Sequence, residues 1–365
     1  MAGGIDRRLV YNMDWVLTGA ALVLTLVGVA MVYSATHSGR TPDLYLKQLA
    51  LVAVGTLGLV LAATVDYRRL ADRAMLLYAL SAVSLVYVLR FGPLKAGTRR
   101  WIEVGGFQLQ PSELVKIAAA VFVAKIFSEY RQETLGLRDV ALPGVAVGLL
   151  AVLIARQPDL GTAACLLPLF LAVAFLAGLR MRAVLGLAAV MVLLAALTWP
   201  LLKDYQRTRI YTFLDPSLDP RGAGYQKIQS QIAVGSGGLV GRGFLEGSQA
   251  QLGYLPARHT DFIFSVLAEE AGFIGVVVVL SLYLLVLWRM LETARLARDR
   301  LGAFLVAGIT ASFAFQVVYN VAMVAGLVPV KGLPLPLMSY GGSSVLASLV
   351  GIGLVLSVRM RRFAN

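Results

Sequence analysis

The chain has 365 residues, 58% of them hydrophobic, and a mean hydropathy of +0.77. An ordinary soluble domain has an apolar share of about 45–50%, so that class is excluded. The formal net charge of +13 would point to nucleic acid in a soluble protein; in a membrane protein, anionic head groups or a phosphorylated lipid account for it better, and nucleic acid is not an expected partner.

Several apolar runs are about 20 residues long, enough to cross a hydrocarbon core of roughly 30 Å. Ten spans are expected, at 13–34, 46–64, 71–90, 111–128, 139–155, 160–179, 183–202, 262–288, 302–326 and 341–358. The first run is too long for a cleavable signal peptide and no small-residue cleavage site follows it, so it counts as a span. The only cysteine, Cys165, lies inside an apolar run and says nothing about disulfides. The predicted fold is therefore all-α: a polytopic membrane protein of ten transmembrane helices, one integral membrane domain over 1–365, with a large extracytoplasmic loop at 203–261 between helices seven and eight.

Basic residues gather on the cytoplasmic side of short loops. With both termini inside, the inner segments carry Arg7, Arg8, Arg68, Arg69, Arg73, Lys125, Arg131, Arg138, Arg180, Arg182, Arg289, Arg295, Arg298, Arg300, Arg359, Arg361 and Arg362, just over half of the 33 Lys and Arg. Most of the others fall in 203–261, which is too long to count in this rule, and in 90–116, which has the marks of a site. No internal repeat is evident, which disfavours inverted-repeat transporter folds.

The outer segments carry the chemistry. Segment 90–116 holds Arg99-Arg100-Trp101 and then Gln110-Pro111-Ser112-Glu113, with Lys116 three positions on. Pro111 suits the first turn of a helix and Glu113 its positive end. Glu113 and Lys116 share a face with Ala120 and Ala124, so they form either the wall of a cavity or an interfacial ion pair with Lys116 snorkelling. Between spans five and six lies Gln157-Pro158-Asp159-Leu160-Gly161-Thr162. Asp159 there is the N-cap of the sixth span and could also face a cavity shared with its neighbours.

In the long loop, Asp215-Pro216 and Asp219-Pro220 read as turns. A short amphipathic helix over 226–234 is expected to lie on the membrane. The glycines at 235–243 make either a flexible loop or an anion-binding nest. The loop closes on Arg258-His259-Thr260-Asp261, where ionisable groups crowd the mouth of the eighth span. Asp261, Ser265, Ala268, Gly272 and Gly275 follow helical spacing, so this span is expected to show one small or polar face with the carboxylate at its outer end. Glu269 and Glu270 come about 12 Å deeper at 1.5 Å per residue. As a residue type in its position, Asp261 could equally be a helix cap.

These motifs together resemble the SEDS family, the shape, elongation, division and sporulation proteins RodA, FtsW and SpoVE. The resemblance is carried by Tyr33-Ser34-Ala35, by Gln110 to Lys116 apart from an inserted Val115, and by Gln157 to Thr162. It continues in Asp215-Pro216, Gly222-Ala223-Gly224-Tyr225-Gln226, Gln229 to Gly238, His259-Thr260-Asp261-Phe262-Ile263-Phe264, Glu269-Glu270 and Gly275. It ends in Gly332-Leu333-Pro334-Leu335-Pro336 and Ser339-Tyr340-Gly341-Gly342-Ser343-Ser344. It runs from about residue 13 to 360. The run from Gly243 to Gln249, before Leu252-Gly253-Tyr254-Leu255-Pro256, is most similar to the elongation member RodA, with Ser248 a slight departure. Lys331-Gly332-Leu333 is more similar to the division protein, and Ala257 stands where a Glu is common.

The resemblance implies a peptidoglycan glycosyltransferase that joins the disaccharide units of lipid II on the outer side of the bacterial inner membrane, in the service of cell shape. It implies Asp261 as the essential carboxylate, and a class B penicillin-binding protein and the elongation machinery as partners. A diphosphate-linked donor already has a good leaving group, so one general base is the main need, unlike the carboxylate pair of glycoside hydrolysis. Asp261 fits that role, or that of a ligand holding a divalent cation, Mg or Mn, on the diphosphate. No dedicated metal motif is present. Glu113, Lys116, Asp159, Arg258, His259, Arg99, Arg100, Arg207 and Arg209 are the candidate substrate-binding residues, the cations to receive phosphate charge and His259 to orient its neighbours. The small-residue face under Asp261 is expected to receive the polyprenyl chain. The rival readings are a lipid II flippase and a non-catalytic scaffold for the cross-linking partner.

Overall fold

In the computed structural model, residues 11–39, 42–94, 97–104, 107–130, 135–197, 204–220 and 222–363 are described. Arg7, Arg8 and Arg131 of the charge pattern and the end of the expected span 183–202 lie outside them.

The chain folds almost entirely into helices. In order they are α1 (Trp15–His37), α2 (Leu44–Thr64), α3 (Tyr67–Asp72) and α4 (Ala74–Phe91). A two-stranded hairpin follows, β1 (Ile102–Val104) and β2 (Phe107–Leu109). Then come α5 (Pro111–Glu129), α6 (Leu137–Arg156), α7 (Leu160–Leu176) and α8 (Met181–Leu197). The long loop contains α9 (Asp204–Leu214), α10 (Ala223–Ser236) and α11 (Ser248–Gln251). The last three helices are α12 (Ile263–Arg295), α13 (Arg300–Val324) and α14 (Gly342–Met360).

Ten of these, α1, α2, α4 to α8 and α12 to α14, coincide with the ten expected spans. Seven of the ten are long and apolar enough to cross a membrane by length and composition alone. The other three are α5, which carries Glu113, Lys116, Lys125 and Glu129, and the 17-residue helices α7 and α8. The protein is a polytopic helical membrane protein.

Contacts between helix ends show that the helices alternate in direction. Arg289 near the end of α12 donates to Asp14 before α1 at 2.9 Å, and Arg359 of α14 approaches the same carboxylate at 4.0 Å. At the other end, Gln110 before α5 donates its backbone N–H to Ser343 of α14 at 2.7 Å. Both ends of the described chain therefore lie opposite the long loop. The core is formed by α13, packed on α5, α7 and α12, and by α14 laid along α2.

The structure corrects the reading of the eighth span. Instead of one continuous helix with a small-residue groove, α12 breaks at Gly272, whose φ of 63° and ψ of −165° are open essentially to glycine alone. The loop glycines enter the break: Gly241 lies so close that a Cβ on Gly272 would overlap its backbone nitrogen. The freed backbone groups find partners there. Phe273 and Ile274 donate to the carbonyls of Gly238 and Leu239 at 2.9 and 3.1 Å, and Arg242 and Gly243 donate to those of Glu269 and Glu270 at 3.0 and 3.1 Å. The glycine run is thus neither a flexible loop nor an anion nest, because its polar backbone is spent on the helix break.

Glu269, expected about 12 Å below Asp261, finds its partners in the loop. Its carboxylate accepts from Gln249 N and Ser248 Oγ of the loop at 3.0 and 3.1 Å. Likewise, α10 does not simply lie on the membrane, because Ser230 shares a 2.9 Å hydrogen bond with Ser265 and donates to Val324 O. It covers the Ser265 and Ala268 face expected to hold a polyprenyl chain.

Gly272→Ala should cost about 3 kcal/mol or more, from disallowed backbone and overpacking together. Gly148→Ala, at a helical glycine with nothing within 4 Å of its added Cβ, should be neutral or gain up to about 1 kcal/mol. Thermal stability of the detergent-purified variants checks both.

Candidate functional site at the loop end of the bundle

Asp261 stands in a tight turn just before α12. Its backbone N–H donates to Ala257 O at 3.1 Å. Its carbonyl accepts from Asn320 Nδ2 of α13 at 2.9 Å. The main chain is thus held on both sides while the residue keeps partial exposure. Asp261 does not cap α12: Phe262 holds the N-cap position, with no side-chain cap bond. Opposite the carboxylate runs the segment after α13, where a Cβ on Gly332 would stand 3.4 Å from Asp261 Oδ2. Gly332 has φ +46°, so a side chain there would strain the backbone as well as crowd the carboxylate.

Glu113 and Lys116 form a buried ion pair of 3.0 Å, their side chains only 2% and 9% exposed. Lys116 also donates to Gln316 Oε1 of α13 at 2.8 Å. The pair lines a cavity of about 40 Å³ with Ser312, Gln316 and Ser348. It is a cavity wall, and the snorkelling alternative falls away, since a snorkelling lysine would reach water. Asp159 joins this group. It caps α7 through Thr162 N at 3.2 Å and accepts from Gln110 Nε2 at 2.7 Å and Ser112 Oγ at 3.3 Å. It is therefore the N-cap of α7 and is also tied to the start of α5. The segment at Gly332 links the two halves, because Lys331 O lies 3.0 Å from where a Cβ on Gly161 would sit.

The arginines are less free than expected. Arg100 donates through Nε to Gln157 O at 2.8 Å and through Nη2 to Pro158 O, satisfying the carbonyl end of α6. Arg258 donates to Ala35 O near the end of α1. Both act first as helix-end clamps and only indirectly border the site. Arg99 is exposed and holds Arg90 O at 2.6 Å. Arg207 sits half-buried on α9. Arg209 is on the same helix, with its side chain outside the described residues. His259 packs edge-on against Tyr340 with ring centroids 5.7 Å apart, and its carbonyl accepts from Tyr340 N at 2.8 Å. Burial, and secondarily the Arg258 charge, hold its imidazole below the usual range. It is neutral at neutral pH.

Sequence reading missed the polar file on α13: Ser312, Gln316 and Asn320, spaced by four and all buried. Their spacing in an apolar span was a readable signal. It also missed an apolar groove of about 450 Å³ between α4, α5 and α14, bordered at its loop end by Ile102, Leu109 and Pro111 and running past Leu114 and Val121 to Leu70. The hairpin that edges it was signalled by Gly105-Gly106 between two short β-prone runs. Among the described residues, no three or more His, Cys, Asp or Glu side chains converge in a metal-binding arrangement.

Comparison with known proteins fits this architecture. The sequence profile described as "cell cycle protein", FtsW/RodA/SpoVE, matches residues 11–363. The chain is 40% identical over 361 residues to peptidoglycan glycosyltransferase MrdB of Escherichia coli K12, covering 96% of this chain and 94% of that one. It is 32% identical to peptidoglycan glycosyltransferase RodA of Treponema pallidum, covering 97% and 99%. Among solved structures, it superposes with a TM-score of 0.84 and 36% identity on a chain from work on the structural coordination of polymerization and crosslinking by a peptidoglycan synthase complex, covering 97% and 99%. The rod shape determining protein RodA of Thermus thermophilus gives 0.73 and 32%, covering 97% and 98%.

Two measurements test the site's physics. Lys116→Met should cost about 3–5 kcal/mol by leaving Glu113 buried and unpaired, and the double variant Glu113→Leu/Lys116→Met should recover most of it; additive losses in thermal stability would refute the pairing. His259 has its folded pKa below the unfolded value of about 6.5, so on acidification the unfolded chain takes up the proton first and stability falls. The wild type should therefore lose more thermal stability between about pH 7 and 5 than His259→Gln does.

Proposed function

The chain belongs to the FtsW/RodA/SpoVE family and is a peptidoglycan glycosyltransferase; from that premise we propose that it polymerises lipid II at the outer face of the bacterial inner membrane with Asp261 as general base. The loop end of the bundle is then extracytoplasmic and both termini are cytoplasmic. The observation that carries the reading is the placement of Asp261. It is a partly exposed carboxylate on a clamped backbone, beside the segment that joins it to the buried Glu113, Lys116 and Asp159 group.

In this reading the acceptor sugar hydroxyl attacks the anomeric carbon of the donor. The new glycosidic C–O bond forms as the bond to the diphosphate breaks. Asp261 takes the hydroxyl proton, and the polyprenyl diphosphate leaves with the bonding electrons. The negative charge on the leaving group calls for fixed positive charge nearby. Lys116 and the guanidinium N–H groups that Arg99, Arg100 and Arg258 do not spend on carbonyls are the candidates. A divalent cation shared by Asp261 and the diphosphate would add charge neutralisation there.

The apolar groove suits the polyprenyl chain. Ile117 borders both the groove and the Glu113–Lys116 cavity, so a lipid with its phosphates near Lys116 can lay its tail along α5. The 40% identity to a protein named MrdB stands against 38% and 39% for proteins named FtsW, and the Gly243 to Gln249 run favours the elongation role. The likeness to a chain of a polymerization and crosslinking complex supports a class B penicillin-binding protein as partner within the elongation machinery.

Asp261→Asn should lower glycan-strand synthesis from labelled lipid II in detergent by about 10²–10⁴-fold, with binding of the cross-linking partner retained. Synthesis at the wild-type rate would refute the assignment.

A further inference from the structure

Asn320 lies on α13, one turn beyond Gln316, and is fully buried. Its amide nitrogen donates to two main-chain carbonyls, that of Asp261 at 2.9 Å and that of Leu333 at 2.8 Å. Both neighbours are acceptors only, so the amide orientation follows from chemistry: the NH₂ must face them. Both of its donor positions are used.

These two carbonyls belong to the two walls of the candidate site. One is on Asp261 itself. The other follows Gly332, which faces the Asp261 carboxylate across 3.4 Å of Cβ clearance. One side chain therefore fixes the spacing between the carboxylate and the opposing segment. Its neighbour one turn down, Gln316, accepts from Lys116, so the same helix face carries both contacts. Four residues of helix rise about 6 Å, which sets the height of Lys116 relative to Asp261.

We propose that Asn320 is a positioning residue for the glycosyl transfer: by holding the Asp261 and Leu333 carbonyls together it fixes the carboxylate against the substrate-facing segment at Gly332. The inference rests on the reading of Asp261 as the base. An aliphatic replacement removes this shared donor from both carbonyls and lets the walls separate; a displacement near 1 Å at a reacting group can cost about 10²-fold in rate.

The test uses the full chain in detergent with labelled lipid II, comparing wild type, Asn320→Leu, Asn320→Ser, Asp261→Asn and the double variant Asp261→Asn/Asn320→Leu. Asn320→Leu should lower kcat by about 10²-fold with the KM for lipid II within about threefold of wild type. Asn320→Ser, which keeps one donor, should fall between. The double variant should be no slower than Asp261→Asn alone, because a residue acting through Asp261 has nothing left to position.

Wild-type kcat in both Asn320 variants, a rise in KM at constant kcat, or a further loss in the double variant would each overturn the inference. Should Asn320→Leu not yield folded protein, Asn320→Ser decides the matter by the same kcat and KM comparison. If Asp261→Asn itself works at the wild-type rate, the reading of Asp261 fails; if it is inactive and the Asn320 variants are normal, only the positioning role fails.

Discussion

The break in α12 at Gly272 is the constraint on which the loop end of the molecule depends. A helix broken within an apolar bundle frees backbone N–H and C=O groups that have no water to bond. Here the segment 238–243 supplies the partners, exchanging four main-chain hydrogen bonds across the break. The long loop is therefore an integral part of the bundle, and the turn that presents Asp261 is held from beneath by a half-helix, 263–271, that the loop covers. What remains of α12, residues 273–295, is about 34 Å long at 1.5 Å per residue, sufficient to cross a core of roughly 30 Å unaided. One glycine thus separates the part of the helix that builds the site from the part that crosses the membrane.

The two ends of the bundle spend their charges differently. Opposite the loop, basic residues are locked into structural clasps. Arg289 holds Asp14, Arg68 holds Asp299 at 2.8 Å, and Arg361 donates to the carbonyls of Ala63 and Thr64 that end α2. These contacts tie α12 to the start of α1, α3 to the start of α13, and the end of α14 to the end of α2. At the loop end, the Glu113–Lys116 pair and Asp159 are buried, and Ile117 joins the pair's cavity to the apolar groove. Buried ion pairs are weak stabilisers compared with apolar packing, so a pair kept there is better explained by what it does than by what it holds together.

Much of this was legible in the sequence and some of it was not. The spans followed from apolar runs alone, and the i, i+3 spacing of Glu113 and Lys116 gave their shared face. Asp159 was readable as a cap because its position before an apolar run dictates that chemistry. Gly272 was misread because glycine at helical spacing looks the same whether it opens a groove or admits another backbone; only the approach of Gly241 tells the two apart. The carbonyls that Arg100 and Arg258 hold were not legible, because they belong to helices distant in the chain. Asn320 shows the opposite failure. A polar file at Ser312, Gln316 and Asn320 within an apolar span was visible, but its meaning depends on Asp261 and Leu333 standing beside it.

The same environment ranks the acidic residues as bases. A general base must reach the proton it removes and must be ionised when it does so. Glu113 is buried and already engaged by Lys116 at 3.0 Å. Asp159 spends its oxygens on Gln110, Ser112 and the Thr162 N–H, so accepting a proton would break a helix cap as well as the link to α5. Glu269 is consumed by the loop that closes over it. Asp261 alone of the four combines a fixed main chain with a side chain at the partly exposed surface of the turn. Neighbouring His259 is kept neutral by burial and by Arg258. The arrangement separates two settings that one carboxylate could not share: Glu113 is engaged by a cation within the bundle, and Asp261 stands at the partly exposed surface, where the proposed proton transfer would take place.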